Sequence, residues 1–145
     1  MNVRAFEALS MEMSLKKALE REEFLLVYQP QVDTETGPWL GVEALIRWQH
    51  RDLGLVLPSR FIPIAEEHGV ILPIGEWVLR TACAQVRSGL DAGLPAVPVA
   101  VNVSALQFRQ AGLVERIRRI LEETGLDPRY LELELTESIV MRQAE

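Results

Sequence analysis

The chain has 145 residues, 48% hydrophobic and 25% charged, which is typical of one globular domain. Its formal net charge of -6 argues against non-specific binding to nucleic acid or to an anionic membrane, because both need basic surface. Cys83 is the only cysteine, so no intramolecular disulfide can form. No apolar run approaches the ~20 residues of a membrane span. We therefore expect a cytoplasmic protein, or the cytoplasmic portion of a larger one.

The first third of the chain predicts a helix followed by two strands. Residues 5–22 have the apolar spacing of an amphipathic helix. Phe24–Tyr28 is apolar enough for a strand that ends at Pro30. Residues 34–38 have turn chemistry, and a second strand is expected over 40–48. Because the link is short, the two strands are expected to pair as an antiparallel hairpin.

In the rest of the chain, helical segments are expected to separate the strands. In chain order we predict a helix capped by Ser59 and ending at Gly69, a helix over 74–89, a strand over 97–103, a helix around 113–121 closed by Gly125, and a strand over 131–136. Apolar strands separated by helices imply parallel pairing with right-handed crossovers, an α/β architecture. Four such strands would make half of a (β/α)₈ barrel, which typically needs about 250 residues. The chain is then either a small open sheet or a piece of something larger.

Polar side chains recur on one face of the predicted strands. The two-residue period places Glu43, Leu45 and Arg47 together on the second strand. Asn102 lies at the end of the third strand, and Glu134 shares a face of the fourth with its neighbours Glu132 and Thr136. The carboxyl ends of parallel strands meet at one edge of the sheet, where ligands bind.

A convergent set of Glu43, Asn102 and Glu134 would offer only oxygen ligands. Such a set suits Mg²⁺ or Mn²⁺ better than zinc. Arg47 could then hold a phosphate with two parallel hydrogen bonds.

Structural explanations of the same residues remain open. A carboxylate at a strand end is usually a solvated surface charge. Arg47 could simply pair with Glu43 or with Glu66. The stretch 131–136 could be the polar face of an antiparallel edge strand.

The two histidines and the cysteine are expected to have structural positions only. His50 falls in a loop and His68 at a helix end, so both are expected at the surface. Cys83 falls in the middle of a helix and is expected to be a small core residue.

Taken together, six motifs resemble the EAL domain family, the bacterial cyclic di-GMP phosphodiesterases. The motifs are YQPQV (28–32), GVEALIRWQH (41–50), FIPIAEEHG (61–69), IGEWVL (74–79), VNVSALQF (101–108) and LELELTES (131–138). They occur in the order and spacing of the family and cover about residues 15 to 145. The agreement of all six is specific, whereas the three letters EAL alone would not be.

The resemblance implies both a fold and a reaction. The fold is a TIM-like (β/α) barrel with an antiparallel first strand, of which this chain would form about half. The reaction is hydrolysis of one phosphodiester of cyclic di-GMP to linear pGpG with Mg²⁺ or Mn²⁺. The barrel agrees with the antiparallel hairpin expected from the residues themselves.

The resemblance also assigns roles to individual residues. The positions that match metal ligands are Glu43, Asn102 and Glu134, and Glu43 is thereby also a catalytic position. The positions that match the dinucleotide site are Gln29, Leu45 and Arg47. Glu137 matches a glutamate that steadies a loop in the second half of the barrel and is counted as a catalytic position. Two cations about 3.5–4 Å apart would activate water and stabilise charge on the attacked phosphate.

The resemblance further predicts how the chain is organised. Residues 23–145 would be the N-terminal half of an EAL domain, because the family's paired aspartates in a DDFGTG stretch, and later site residues, would follow residue 145. Residues 1–22 resemble a helix that links a preceding GGDEF or sensory domain. The 145 residues by themselves are expected to be inactive.

Two other kinds of function remain open. The domain could bind cyclic di-GMP without cutting it, or it could be a protein-interaction module that associates with itself through the exposed edges of a half-barrel. Cyclic di-GMP is the expected partner of both the phosphodiesterase and the binding module. No nucleic acid polymer and no membrane contact are expected for this segment.

Overall fold

A computed structural model describes residues 3–33, 35 and 39–135 as an α/β structure. The helices are α1 Val3–Ala18, α2 Pro58–Glu67, α3 Ile71–Asp91, α4 Ala105–Phe108 and α5 Leu113–Thr124. The strands are β1 Phe24–Val32, β2 Trp39–His50, β3 Gly54–Val56, β4 Val99–Val103 and β5 Leu131–Leu135. A short 3₁₀ turn, Pro128–Tyr130, leads into β5. The predicted alternation of helices and strands is therefore confirmed.

The sheet has the strand order β1-β2-β4-β5. β1 is antiparallel to β2, which confirms the predicted hairpin. β4 is parallel to both β2 and β5, as expected for strands joined by helical crossovers. β3 was not predicted; it pairs antiparallel with the last residues of β2.

β1 continues through Pro30 instead of ending there. Pro30 pairs with Val42, and the register changes only between Gln31 and Val32. Within the described residues β1 is an edge strand, and a proline without an N–H is tolerated on an edge. The prediction that the strand ends at Pro30 is therefore wrong.

α2 begins one residue earlier than Ser59. The residue before its first turn is Leu57, which makes no side-chain cap, and Pro58 occupies the first helical position. Proline is suited to that position because its φ is preset and its missing N–H would be unsatisfied there anyway. The helix ends at Glu67, and Gly69 has the positive φ of +75° that closes the turn.

His50 is buried, contrary to the expectation of a surface position. Only 9% of it is exposed, and its ring lies 5.0 Å from that of Trp48. The ring Nδ1 accepts the backbone N–H groups of Asp52 and Leu53 at 3.0 and 3.1 Å. His50 therefore stabilises the β2–β3 turn. His68 is exposed, as expected.

The core lies between one face of the sheet and the helices α1, α2 and α3. Its centre is an aromatic cluster in which the ring of Phe24 lies 6.0 Å from Trp48 and 5.8 Å from Phe61. Leu15 of α1 and Cys83 of α3 are fully buried in the same cluster, which confirms the core assignment of Cys83. We call this covered side of the sheet the helix face.

The opposite side, which we call the open face, carries the alternate residues of each strand. Open-face positions are Leu25, Val27 and Gln29 of β1, Glu43, Leu45 and Arg47 of β2, Ala100 and Asn102 of β4, and Glu132 and Glu134 of β5. The period-two placement of polar residues is therefore confirmed. The helix face is apolar and the open face carries most of the charge of the sheet.

Candidate functional site

Sheet register brings the predicted polar residues side by side on the open face. Gln29 lies opposite Glu43 in the antiparallel β1–β2 pair. Glu43 is level with Ala100, and Asn102 is level with Glu134 in the neighbouring parallel strands. Adjacent strands lie about 4.8 Å apart, so these side chains share one small area.

Glu43 and Asn102 are in direct contact. The Asn102 amide Nδ2 donates to Glu43 Oε2 over 3.2 Å. The two ligand oxygens of a cation such as Mg²⁺ lie about 3 Å apart when they occupy adjacent octahedral positions, given metal–oxygen distances of 2.0–2.1 Å. Turning the Asn102 amide by 180° would present its oxygen at the same separation. The spacing and the donor chemistry of this pair therefore fit a hard divalent cation.

Arg47 lies further along the same face of β2. Its Nη1 donates to the backbone oxygen of Ile46 at 2.9 Å. Among the described residues it forms no ion pair with Glu43 or Glu66. The alternative in which Arg47 merely neutralises one of these acids is not observed.

A pocket of about 440 Å³ opens beside Leu45 and Asn102. Pro58 and Ile62 of α2 form part of its wall, and Glu66 contributes a carboxylate. The sequence reasoning did not assign these α2 residues to the site. The signal was present, since two of them belong to the FIPIAEEHG motif.

The turn after β4 is held by a reciprocal pair of hydrogen bonds. Ser104 Oγ accepts the backbone N–H of Gln107 at 3.2 Å, and Gln107 Oε1 accepts the backbone N–H of Ser104 at 3.1 Å. This capping box begins α4 two residues after Asn102. The sequence reasoning assigned no role to Ser104 or Gln107.

The other predicted acids add no metal cluster within the described residues. Glu137 lies outside the described residues, so its position relative to the other acids is not described. Within residues 3–33, 35 and 39–135, no three His, Cys, Asp or Glu side chains are grouped so that they could hold a metal ion. On the open face the Asn102 amide lies between Glu43 and Glu134, and Glu132 lies nearer the start of β5.

Tyr28 and Cys83 have raised pKa values on the helix face. Burial, with a smaller contribution from Cys83, raises the pKa of Tyr28 to about 12, and its hydroxyl hydrogen-bonds to the Gln85 side chain. Burial also raises the pKa of the Cys83 thiol to about 11. Both groups are neutral at physiological pH and lie across the sheet from Glu43.

The sequence matches the EAL domain family over residues 12–145. The chain belongs to that family. It is 50% identical, over its whole length, to the bifunctional diguanylate cyclase/cyclic di-GMP phosphodiesterase MucR of Pseudomonas aeruginosa, of which it covers 21%. It is 43% identical over 139 residues to the cyclic di-GMP phosphodiesterase NbdA of the same organism, which is 96% of this chain and 18% of NbdA.

Solved structures show the same fold. The chain superposes on the MucR phosphodiesterase in complex with cyclic di-GMP with a TM-score of 0.89 and 50% identity. The match covers 93% of this chain and 55% of the solved one. The α/β sheet described here is thus part of a TIM-like EAL barrel, and the chain spans about a fifth of the length of the curated relatives that it matches. No helix in the described ranges is both long enough and apolar enough to cross a membrane.

Proposed function

We propose that this chain is part of a cyclic di-GMP phosphodiesterase domain that hydrolyses cyclic di-GMP to linear pGpG with Mg²⁺ or Mn²⁺. The observation that carries the proposal is the contact between Glu43 and Asn102 on the open face, 3.2 Å apart in a chain of the EAL family. Both relatives named above are described as cyclic di-GMP phosphodiesterases.

Glu43, Asn102 and Glu134 are proposed to hold the metal. Glu43 and Glu134 supply the negative charge that a divalent cation needs, and Asn102 supplies a neutral oxygen between them. When bound, the metal supplies Lewis acidity and a more acidic water molecule. Glu137 and residues beyond this chain are proposed to complete the site.

Gln29, Leu45 and Arg47 are proposed to bind the dinucleotide. Gln29 lies opposite Glu43 and can orient a polar group of the substrate by hydrogen bonding. Arg47 carries a positive charge that no acid of the described region neutralises, so it can hold a phosphate. The pocket beside Leu45 is apolar in most of its lining and can receive a base.

Activity of the natural protein is proposed to need more than these 145 residues. We propose that 23–145 form the N-terminal half of the domain, that 1–22 link it to an upstream GGDEF or sensory domain, and that the protein acts in the cytoplasm. Within the described residues no three acids are grouped so that they could hold a metal ion, whereas a two-metal phosphodiesterase site has to hold two ions about 3.5–4 Å apart. These 145 residues alone should therefore show little or no hydrolysis.

A module that binds cyclic di-GMP without cutting it is the second candidate. The comparison structure supports binding directly, since MucR was solved as a cyclic di-GMP complex. The intact pair of Glu43 and Asn102 favours catalysis instead, because a pure receptor has no need of metal ligands.

The test is Glu43→Gln in the natural protein that contains this chain. Glutamine keeps the shape and the hydrogen bond but loses the charge, so release of pGpG with Mn²⁺ should fall about a hundredfold or more, because loss of a direct ligand should cost at least as much as the 10–100-fold typical of the outer partners of metal ligands. Glu122→Gln on the exposed surface of α5 is the matched control and should retain full activity.

The outcomes separate the two candidates. Loss of hydrolysis with retained binding of cyclic di-GMP supports the enzyme. Full activity in Glu43→Gln would contradict the assignment of Glu43 to the metal. Tight binding with no product from the unmodified protein would favour the non-catalytic module.

A further inference from the structure

Asn102 is the most exposed member of the proposed metal site, and its side chain is held only from one side. Its amide contacts Glu43, and the residue is exposed to solvent. The direction in which it points therefore depends on how the end of β4 is fixed. β4 ends at Val103, and the capping box of Ser104 and Gln107 follows at once.

Gln107 joins this turn to helix α3. It is a polar residue only 5% exposed, and its side-chain oxygen accepts the N–H of Ser104. Its amide also lies against the backbone of α3 at Gly75. A Cβ atom at Gly75 would fall 1.8 Å from Gln107 Nε2 and 2.4 Å from its Cδ, so only glycine leaves room for this amide.

The contact therefore connects a rigid helix to the end of β4 through one side chain. α3 is the longest helix and packs against β4 and β1. Ser104 has an extended backbone, with φ −78° and ψ 162°, held by hydrogen bonds at both its N–H and its Oγ. The residue before Ser104 is Val103, which is only 2% exposed and therefore anchors the end of β4 in the core.

We propose that Gln107, packed between Ser104 and Gly75, is a positioning residue that aims Asn102 at Glu43. The role rests on the proposed function, because it assumes that Asn102 is a metal ligand. Gln107 is not itself a proposed metal ligand; it fixes the backbone on which Asn102 is carried. Groups that hydrogen-bond a metal ligand directly typically change metal affinity about 10–100-fold when removed, and for a residue that acts through the backbone we expect the lower end of that range.

The test uses two pairs of variants in the natural protein. Gly75→Ala displaces the Gln107 amide, whereas Gly89→Ala in the same helix places its Cβ 3.4 Å from Leu94, an ordinary contact. Ser104→Ala removes the side-chain acceptor of the capping box, whereas Ser104→Thr keeps it. Mn²⁺ affinity is measured by titration calorimetry without substrate, and Tm is measured on the same samples.

The expected result is a Mn²⁺ dissociation constant raised about tenfold in Gly75→Ala and Ser104→Ala. Gly89→Ala and Ser104→Thr should match the unmodified protein. If Gly75→Ala does not fold, Gln107→Ala replaces it, because that variant removes the acceptor of the Ser104 N–H. A lower Tm with unchanged Mn²⁺ affinity in Gln107→Ala and Ser104→Ala would overturn the proposal, since it would show a purely structural turn.

Asn102→Ala distinguishes failure of this proposal from failure of the proposed function. If Asn102→Ala weakens Mn²⁺ binding but neither Gly75→Ala nor Gln107→Ala does, Asn102 is a ligand and Gln107 does not position it. If Asn102→Ala leaves Mn²⁺ binding unchanged, the ligand assignment itself is wrong.

Discussion

Arg47 combines an unneutralised charge with a fixed position on the open face. Its Nη1 is held by the Ile46 carbonyl. Arg47→Lys keeps the charge but loses the planar fork that can hold a phosphate with two hydrogen bonds. We expect KM for cyclic di-GMP to rise about ten- to a hundredfold, the value of one or two hydrogen bonds to a charged group. Initial rates at varied substrate concentration measure it.

The control for this prediction is Arg51→Lys. Arg51 is exposed in the turn after β2, so its replacement should leave KM unchanged. An unchanged KM in Arg47→Lys would remove Arg47 from the substrate site. A change in Mn²⁺ affinity in that variant would place Arg47 near the metal.

Cys83 should be unreactive in the folded protein. It is fully buried, and burial raises its pKa to about 11, so about a thousandth of the thiol is ionised at pH 8. We expect a disulfide reagent to react at least a hundredfold more slowly at pH 8 without denaturant than in guanidinium. The single cysteine makes the signal unambiguous in this chain. Rapid reaction of the folded chain would show that α3 opens readily.

The same shift has a consequence for stability at high pH. Because the folded-state pKa is raised from 9.0 to about 11, the buried neutral thiol contributes stability that is fully present below pH 9. That contribution is lost as the pH rises through 11.

For individual site residues, the two-residue strand period predicts only which residues share a face of the same strand. The two-residue period places Glu43 and Arg47 on one face of β2, and the sheet register of the structure adds Asn102 to that face. The role of His50 was not predictable, because its burial depends on β3, a strand of three residues. Periodicity cannot be recognised in so short a segment.

At the scale of elements, the end of α5 is a position where glycine is required. Gly125 has a φ of +72° and its N–H donates to the Leu121 carbonyl. Gly125→Ala should lower the free energy of unfolding by about 1–2 kcal/mol, because an L side chain is strained in this conformation. Chemical denaturation of the chain measures the difference.

Gly125→Asn is the matched control for that prediction. Asparagine tolerates positive φ better than other side chains, so its cost should be smaller than that of alanine. Equal stability in Gly125→Ala and the unmodified chain would mean that α5 can end in another conformation.

Element boundaries were less predictable than element order. The sequence indicates the helix that follows β3 but misplaces its start, because Pro58 and Ser59 are both suited to a helix N-terminus. Pro30 indicates the end of a strand unless the strand lies at an edge. Whether β1 lies at an edge depends on which strands pair, and the local sequence around Pro30 does not contain that information.

For the whole molecule, the two outer strands predict self-association of the 145-residue chain. Within the described residues β1 and β5 each pair on one side only, and Leu133 and Leu135 of β5 are 40% and 38% exposed. Unpaired strand edges next to apolar side chains favour pairing with another copy. Light scattering over a concentration series should show mass rising above that of one chain.

Leu133→Lys is the variant that tests the mechanism of association. A lysine on an edge strand opposes pairing with a second copy, so association should weaken. A chain that stays monomeric at high concentration would contradict the prediction. The exposed edges were already expected from the half-barrel interpretation of the sequence, whereas the partial exposure of Leu133 and Leu135 required the structure.

The separation of the sheet into two faces has a consequence for how such domains diverge. Replacing Gln29, Glu43 or Asn102 removes chemistry from the open face without opening a cavity in the core on the helix face. A lineage can therefore lose hydrolysis in a single step while its fold persists under selection for another use. A one-residue deletion within β2 would not spare the fold, because the residues beyond it would exchange faces. Both the polar site and the apolar core would then be lost at once.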